Sequence, residues 1–272
     1  MVLTKIYRSL LKHNRPPRPM LRKNLRLAVK GDQRAFITLA DHYLDLASEY
    51  LYLSGAIDSA AMIERACDLY FRVWQCLSYA HRVSDFERLI AVALQLEENK
   101  AQELVACPLS GKLRELKPLH KLLLVTHEME NWPRHWTGLA TRLSRRELEQ
   151  KILEMRCQLL GFNLAILDQR VSRCLMALSR DFNEGLTLKE RADLCSQVEQ
   201  LPEIKEFPAE WISLRCEIIE LRQQIRLNSD QRTVFANTLL DRLADGEMIR
   251  PLLRDRVRNI VHFGNHPDMN TG

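Results

Sequence analysis

The chain has 272 residues, 46% of them hydrophobic, and a formal net charge of +5, enough apolar material for one large core or two to three small ones. No run approaches the roughly 18 uninterrupted apolar residues that a membrane span needs, the longest being of the kind seen from Leu122 to Val125. Seven scattered cysteines with no Cys-x-x-Cys pair argue against a disulfide framework and a zinc site, and predict reduced thiols in a cytoplasmic protein.

Charge is unevenly spread from the start. Residues 1–30 hold nine Lys or Arg and no acid, leaving 31 cations against 35 acids for the remainder. This leader, with Pro16, Pro17 and Pro19, reads as a phosphate-contacting arm or as a solvated tail. A transit peptide fits less well, since it has little Ser and its prolines interrupt an amphipathic helix. No apolar stretch of about 7 to 15 residues follows its basic residues, so no secretory signal is expected.

From there the elements are helical. Only nine glycines occur, no alternating strand pattern appears, and leucines recur at helical spacing, so the fold class predicted is all-α. Breakers at Gly55, Cys107-Pro108, Gly111, Pro118, Asn131 to Pro133, Gly161, Gly185, Pro202, Pro208, Gly246 and Pro251 divide the chain. Helices are predicted over 21–30, 32–53, 57–77, 84–105, 117–130, 134–143, 145–180, 187–200, 208–227, 230–244 and 247–261. In the second of these, Ala35, Phe36, Leu39, Tyr43, Ala47 and Leu51 share one face. Ser84, with Glu87 three residues on, is the predicted cap of the fourth helix, and Ser229 precedes the tenth. A 34-residue helical repeat is suggested by Ala61, Ala66 and Tyr70 but does not recur at a fixed period. His262 and His266 lie four apart, yet Gly264 and Pro267 break the helix that would align them, so no metal is expected there.

Read together, Gly31-Asp32, Ala35-Phe36, Leu39 and Tyr43, the break at Gly55, "IERACDLYFRVWQCL" (63–77) and "FERLIAVALQ" (86–95) resemble region 2 of the sigma-70 family, in particular its extracytoplasmic-function group. About 40 residues on, "LKPLHKLLLVTHEMENWPRHWTGLATRLSRRELEQKILEMRCQLL" (116–160) resembles region 4, with Leu139-Ala140 and Leu143 matching its apolar pair and follower. The resemblance implies five divisions: a basic leader (1–24), a region 2-like domain (25–106), a linker (107–115), a region 4-like helix-turn-helix domain (116–160) and a C-terminal helical extension (161–272).

It also implies roles. Glu64, Asp68, Arg72 and Trp74 match the surface that binds the coiled coil of the RNA polymerase β′ subunit, a basic and amphipathic helical pair. The recognition helix would begin at Ser144 and bury Leu148 and Ile152, with Ala140 the small residue at the helix crossing. Arg145, Arg146 and Lys151 are then the leading contacts to promoter DNA, Arg142 and Arg156 lie on the same element, and Arg134 starts the supporting helix with His135. An anti-sigma protein is a further partner that the resemblance implies.

Some positions depart from the family pattern. Cys67 stands for its glutamine, Leu89 for a tryptophan, "LQLEENKAQEL" (94–104) is acidic, and Glu147 to Lys151 replaces the Thr-Val-x-Ser-Arg motif. Carboxylates there repel phosphate, which favours the alternative of a helical interaction protein that keeps the scaffold without promoter recognition. Residues also have bland readings: Tyr70 and Trp74 as core aromatics, Trp132 and Trp136 as packing around Pro133, Glu64 with Asp68 and Arg145 with Arg146 as solvated charge. No phosphate loop, Ser-His-Asp order, paired acids or Cys-His pair stands out, so neither catalysis nor a cofactor is expected. His127, Glu128 and Glu130 match the charged end of the family's first region 4 helix.

Overall fold

A computed structural model describes residues 18–56, 58–97, 112–182 and 186–245. Among them all regular structure is helical, as expected. They form two units, and chain order does not separate them: α1–α5 and the last helix α12 make the first, α6–α11 the second.

In the first unit, α1 (Arg18–Val29) buries Leu21, Leu25 and Ala28 and ends in a Schellman turn, with Gly31 N–H donating to Ala28 O and Asp32 N–H to Leu27 O at 2.9 and 3.1 Å. Gly31 sits at φ +96°, a conformation that glycine adopts without a Cβ penalty. Asp32 then caps α2 (Gln33–His42) by accepting from Ala35 N–H at 3.0 Å. The Gly-Asp pair is therefore a complete helix-to-helix joint: one residue ends a helix and the next begins another.

The single helix predicted over 32–53 is two, α2 and α3 (Leu44–Leu53), meeting at Tyr43. Tyr43 leaves the helical φ/ψ well because its ring is held elsewhere, donating to Glu87 Oε1 at 3.0 Å and packing edge-on to Phe86. The apolar face from Ala35 to Leu51 nevertheless stays buried throughout, as predicted. Helix α4 (Ser59–Gln75) is capped by Asp58, and α5 (Val83–Glu97) follows a short 3-10 turn. The predicted Ser84 cap is replaced by Asp85, which accepts from His81 and Arg82 N–H at 3.1 and 2.8 Å, so the helix begins one residue early. Phe36 lies at the centre, edge-on to Trp74 and Phe86 with centroids 5.0 and 6.2 Å away.

In the second unit, α6 (Pro118–Leu123) runs directly into a π-helix, Leu124–Met129. A helix-turn-helix of α7 (Arg134–Thr141) and α8 (Arg145–Leu160) follows, then α9 (Gln169–Asp181), α10 (Leu188–Glu199) and α11 (Phe207–Ile225). The helix predicted over 145–180 is broken at Gly161, at φ +80°, where Phe162 N–H reaches back to Cys157 O at 2.8 Å in a second Schellman turn. The turn lets α9 fold back on α8 and close a core of Leu153, Cys157, Leu175, Leu178, Val198 and Phe207.

Two boundaries are corrected. The extension 161–272 is not one block, because α9–α11 share the core of α6–α8 while α12 (Ser229–Asp245) packs on the first unit. The linker 107–115 includes Leu113, which is fully buried, so it is partly core. Helix α12 starts near the expected residue, but Asn228 is its cap, exchanging hydrogen bonds with Gln231 at 2.9 Å. The leader before Arg18, residues 98–111 with Cys107, the helix 247–261, and His262 and His266 lie outside the described residues. No helix among the described residues is long and apolar enough to cross a membrane.

Candidate functional site

Two surfaces gather the residues singled out in the sequence. On the helix-turn-helix, α7 ends at Arg142 in the left-handed region, φ +60°, and Leu143-Ser144 complete the turn. Ser144 caps α8 through a full capping box: it accepts from Glu147 N–H at 3.3 Å, and its own N–H donates to Glu147 Oε2 at 2.9 Å. Hydrogen bonds to the carboxylate from the Ser144 hydroxyl and from the Ser144 backbone N–H hold the Glu147 carboxyl below its ordinary pKa. Leu148 and Ile152 are buried as expected. Ala140 is buried, and Gly138 is also close to the turn, since a Cβ there would lie 3.1 Å from Leu143 O.

Glu149 is the hub of this corner. Its side chain is only 4% exposed and receives three guanidiniums, Arg134 from α7 at 3.1 Å, Arg145 from its own helix at 3.2 Å and Arg180 from α9 at 2.6 Å. Burial alone would raise its pKa, but the hydrogen bonds from Arg180 and Arg145 and the surrounding positive charge prevail and lower it. So the two carboxylates that the sequence sets against phosphate are both engaged within the protein, one by a cap and one by arginines. Three cations on one anion leave a local positive excess, to which the exposed Arg142 and Arg146 add. Planar guanidiniums held this way suit bidentate phosphate contacts. Arg180 carries no signal in the sequence, because 31 residues separate it from Glu149 and no local pattern links them. Lys151 is half-exposed and pairs with Glu154 at 2.6 Å.

Arg156 is a correction. Expected on the DNA-facing side, it is fully buried, donating through Nε to Glu128 Oε1 at 3.0 Å and through Nη1 to Ser179 O and Oγ at 2.7 Å. Its guanidinium lies over the Trp211 ring at 4.8 Å. The sign is present in the sequence: positions 148, 152 and 156 step by four, so a buried Leu148 and Ile152 carry Arg156 inward.

The π-helix supplies the partners of this buried cation. Glu128 is fully buried, and although burial raises a carboxyl pKa, the charges of Arg156 and Arg215 overcome that and lower it to about 2. Arg215 Nε stands 3.5 Å from its second oxygen. Beside it, neither ring nitrogen of His127 has a hydrogen-bond partner among the described residues, and burial pushes its pKa down to about 4. Glu128, Arg156, Arg134 and Arg215 act on it as well, Glu128 raising the pKa and the arginines lowering it.

A folded-state pKa below the unfolded value means that stability is full above the unfolded pKa and is lost as pH falls. For His127 that window runs from about 6.5 down to about 4. Unfolding free energy should fall there by up to roughly 1.4 kcal/mol per pH unit, and a His127→Leu variant should remove that slope. Urea midpoints from pH 7 to 4 with equal slopes in both proteins would contradict this.

On α4, Glu64 is exposed, whereas the other three residues predicted for the polymerase face are engaged. Asp68 is ion-paired to Arg242 of α12. Arg72 donates to Asp68 O at 3.0 Å and pairs with the buried Glu97, and Trp74 is half-buried against Phe36. Cys67 is fully buried, with Sγ 3.7 Å from Phe235 O, and burial pushes its thiol up to about 12, which leaves it unreactive. Tyr70, beneath the Phe235 ring with centroids 5.7 Å apart, is raised well above the ordinary phenol value by burial and by Asp41 and Asp45. No group of three or more His, Cys, Asp or Glu among the described residues could hold a metal ion. No protein-family profile, curated protein or solved structure matches the chain.

Proposed function

We propose that this protein is a sigma-like transcription initiation factor, with the α4 face addressed to core RNA polymerase and α8 addressed to promoter DNA in the cytoplasm. The observation that carries the reading is the α7–α8 corner. A three-residue turn, the Ser144 cap, the buried Leu148 and Ile152 and the outward Arg145 and Arg146 give α8 the polarity of a recognition helix. Of the cations named from sequence, Arg142, Arg145 and Arg146 remain outward, Arg134 serves through the Glu149 cluster, Lys151 is secondary, and Arg156 has no part in DNA contact.

The test is a salt titration of DNA affinity. Taking one arginine away from a phosphate should lower the slope of log K against log salt by about 0.9. Arg145→Ala with Arg146→Ala should therefore flatten it by about 2, and adding Arg180→Ala should flatten it further. Affinity that ignores both salt and these substitutions would remove promoter contact from the reading.

A second reading keeps the polymerase-binding scaffold without promoter recognition, as a helical interaction protein. What favours it is Glu149 placed amid the basic corner, where it neutralises part of the charge that DNA would meet. Retention on core polymerase with no DNA affinity would select it.

A further inference from the structure

Helix α12 packs on the side of α4 that carries Cys67, Asp68 and Tyr70, and of the four residues read as the polymerase face it engages Asp68. It is 17 residues long, yet only Phe235, Leu239 and Leu243 are buried, a single ridge at i, i+4 and i+8. The floor beneath includes Cys67 and Tyr70, both fully buried. The rim is acidic. Arg232 bonds Asp41 at 2.7 Å and also Asp45, Arg226 lies 3.6 Å from Asp45, and Arg242 bonds Asp68. At the far end Gln33 Nε2 donates to Leu243 O at 3.1 Å.

The receiving surface is thus an apolar floor with carboxylates along its edges, and its occupant is an amphipathic helix with arginines along its edges. That is also the chemistry of a basic helical pair, the form of partner that the α4 face is read to accept. Asp68 cannot serve both. The Asp41 and Asp68 pairs are partly exposed, at 47% and 46%, so these two hold α12 weakly and are screened by salt, while the Arg232–Asp45 pair is more sheltered. A helix fixed by one narrow ridge and exposed ion pairs is an element that opens before the fold does.

We propose that α12 is an intramolecular latch that occupies the polymerase-docking face of α4, and that an incoming basic amphipathic helix displaces it. This rests on the polymerase reading above. The latch would keep the free protein from polymerase until a competing helix or a binder of α12 shifts the balance.

The test uses the full chain, purified core polymerase and two variants, Arg232→Glu with Arg242→Glu, and Phe235→Ala. Hydrogen exchange in residues 229–245 should speed up by about tenfold or more in both, with residues 83–97 of α5, which do not pack on α12, still protected as the folding control. Affinity for core polymerase should rise about tenfold in step. Fast exchange in α12 with polymerase affinity equal to that of the parent protein overturns the latch and leaves the polymerase reading standing. Protection of α12 unchanged in both variants also overturns it, since α12 then belongs to the fixed core. If none of the three proteins binds polymerase, the reading falls and the latch falls with it.

Discussion

Arg156→Ala is expected to destabilise the second unit by about 3–5 kcal/mol, because it leaves a buried carboxylate without its main partner. The guanidinium that is removed makes hydrogen bonds to Glu128, Ser179 O and Ser179 Oγ and covers Trp211. Among the described residues, Arg215, 3.5 Å from Oε2, would remain opposite Glu128. The cost is that of an unpaired charge more than that of a missing bond, so removing both charges should be milder than removing one. Arg156→Met with Glu128→Leu should therefore recover most of the stability. Urea unfolding, with hydrogen exchange in 145–160 to assign the transition to this unit, measures both variants. An Arg156→Ala loss under about 1 kcal/mol, or a double variant worse than the single one, would refute the argument. The reading of α8 as a recognition helix predicts nothing of this kind for Arg145 or Arg146, whose removal should leave stability nearly unchanged while weakening DNA affinity.

Phe36→Ala should cost the first unit a similar amount, about 3–5 kcal/mol, for a different reason. Phe36 is fully buried and edge-on to both Trp74 and Phe86, so its ring joins α2 to α4 and α5 at one point. Truncation removes the transfer energy of the ring and leaves a void that three helices meeting at fixed angles cannot close. Phe36→Leu, which keeps most of the volume, should lose less than half as much. The near-ultraviolet signal of Trp74 should weaken in Phe36→Ala before global unfolding begins, since that indole rests on the Phe36 ring. A Phe36→Ala protein with the parent urea midpoint would show that the core refills, against the packing described.

Much of the fold is legible in the sequence because its signals are local. Gly31 and Asp32 announce a helix boundary, Ser144 with Glu147 announces another, and the four-residue steps from Ala35 to Leu51 mark a buried face. Where structure and expectation part, a distant residue intervenes. Tyr43 breaks its helix because Glu87 and Phe86 hold the ring, and no property of residues 32–53 encodes that. The break at Gly161 is the reverse case: the breaker is plain in the sequence, but the helical spacing on both sides of it suggests continuity.

The candidate surfaces divide in the same way. Sequence alone determined an all-α chain, most of its helix limits and its basic leader, because capping and periodicity act over three or four residues. Tertiary structure decided which charges face each other. It placed Arg180 on Glu149, drew Arg156 inward to Glu128, and brought Arg242 to Asp68 across 174 residues of chain. Helix periodicity tells which side of a helix is apolar but not which helix will cover it, and a carboxylate on a half-buried rim pairs with whichever arginine the packing brings within reach.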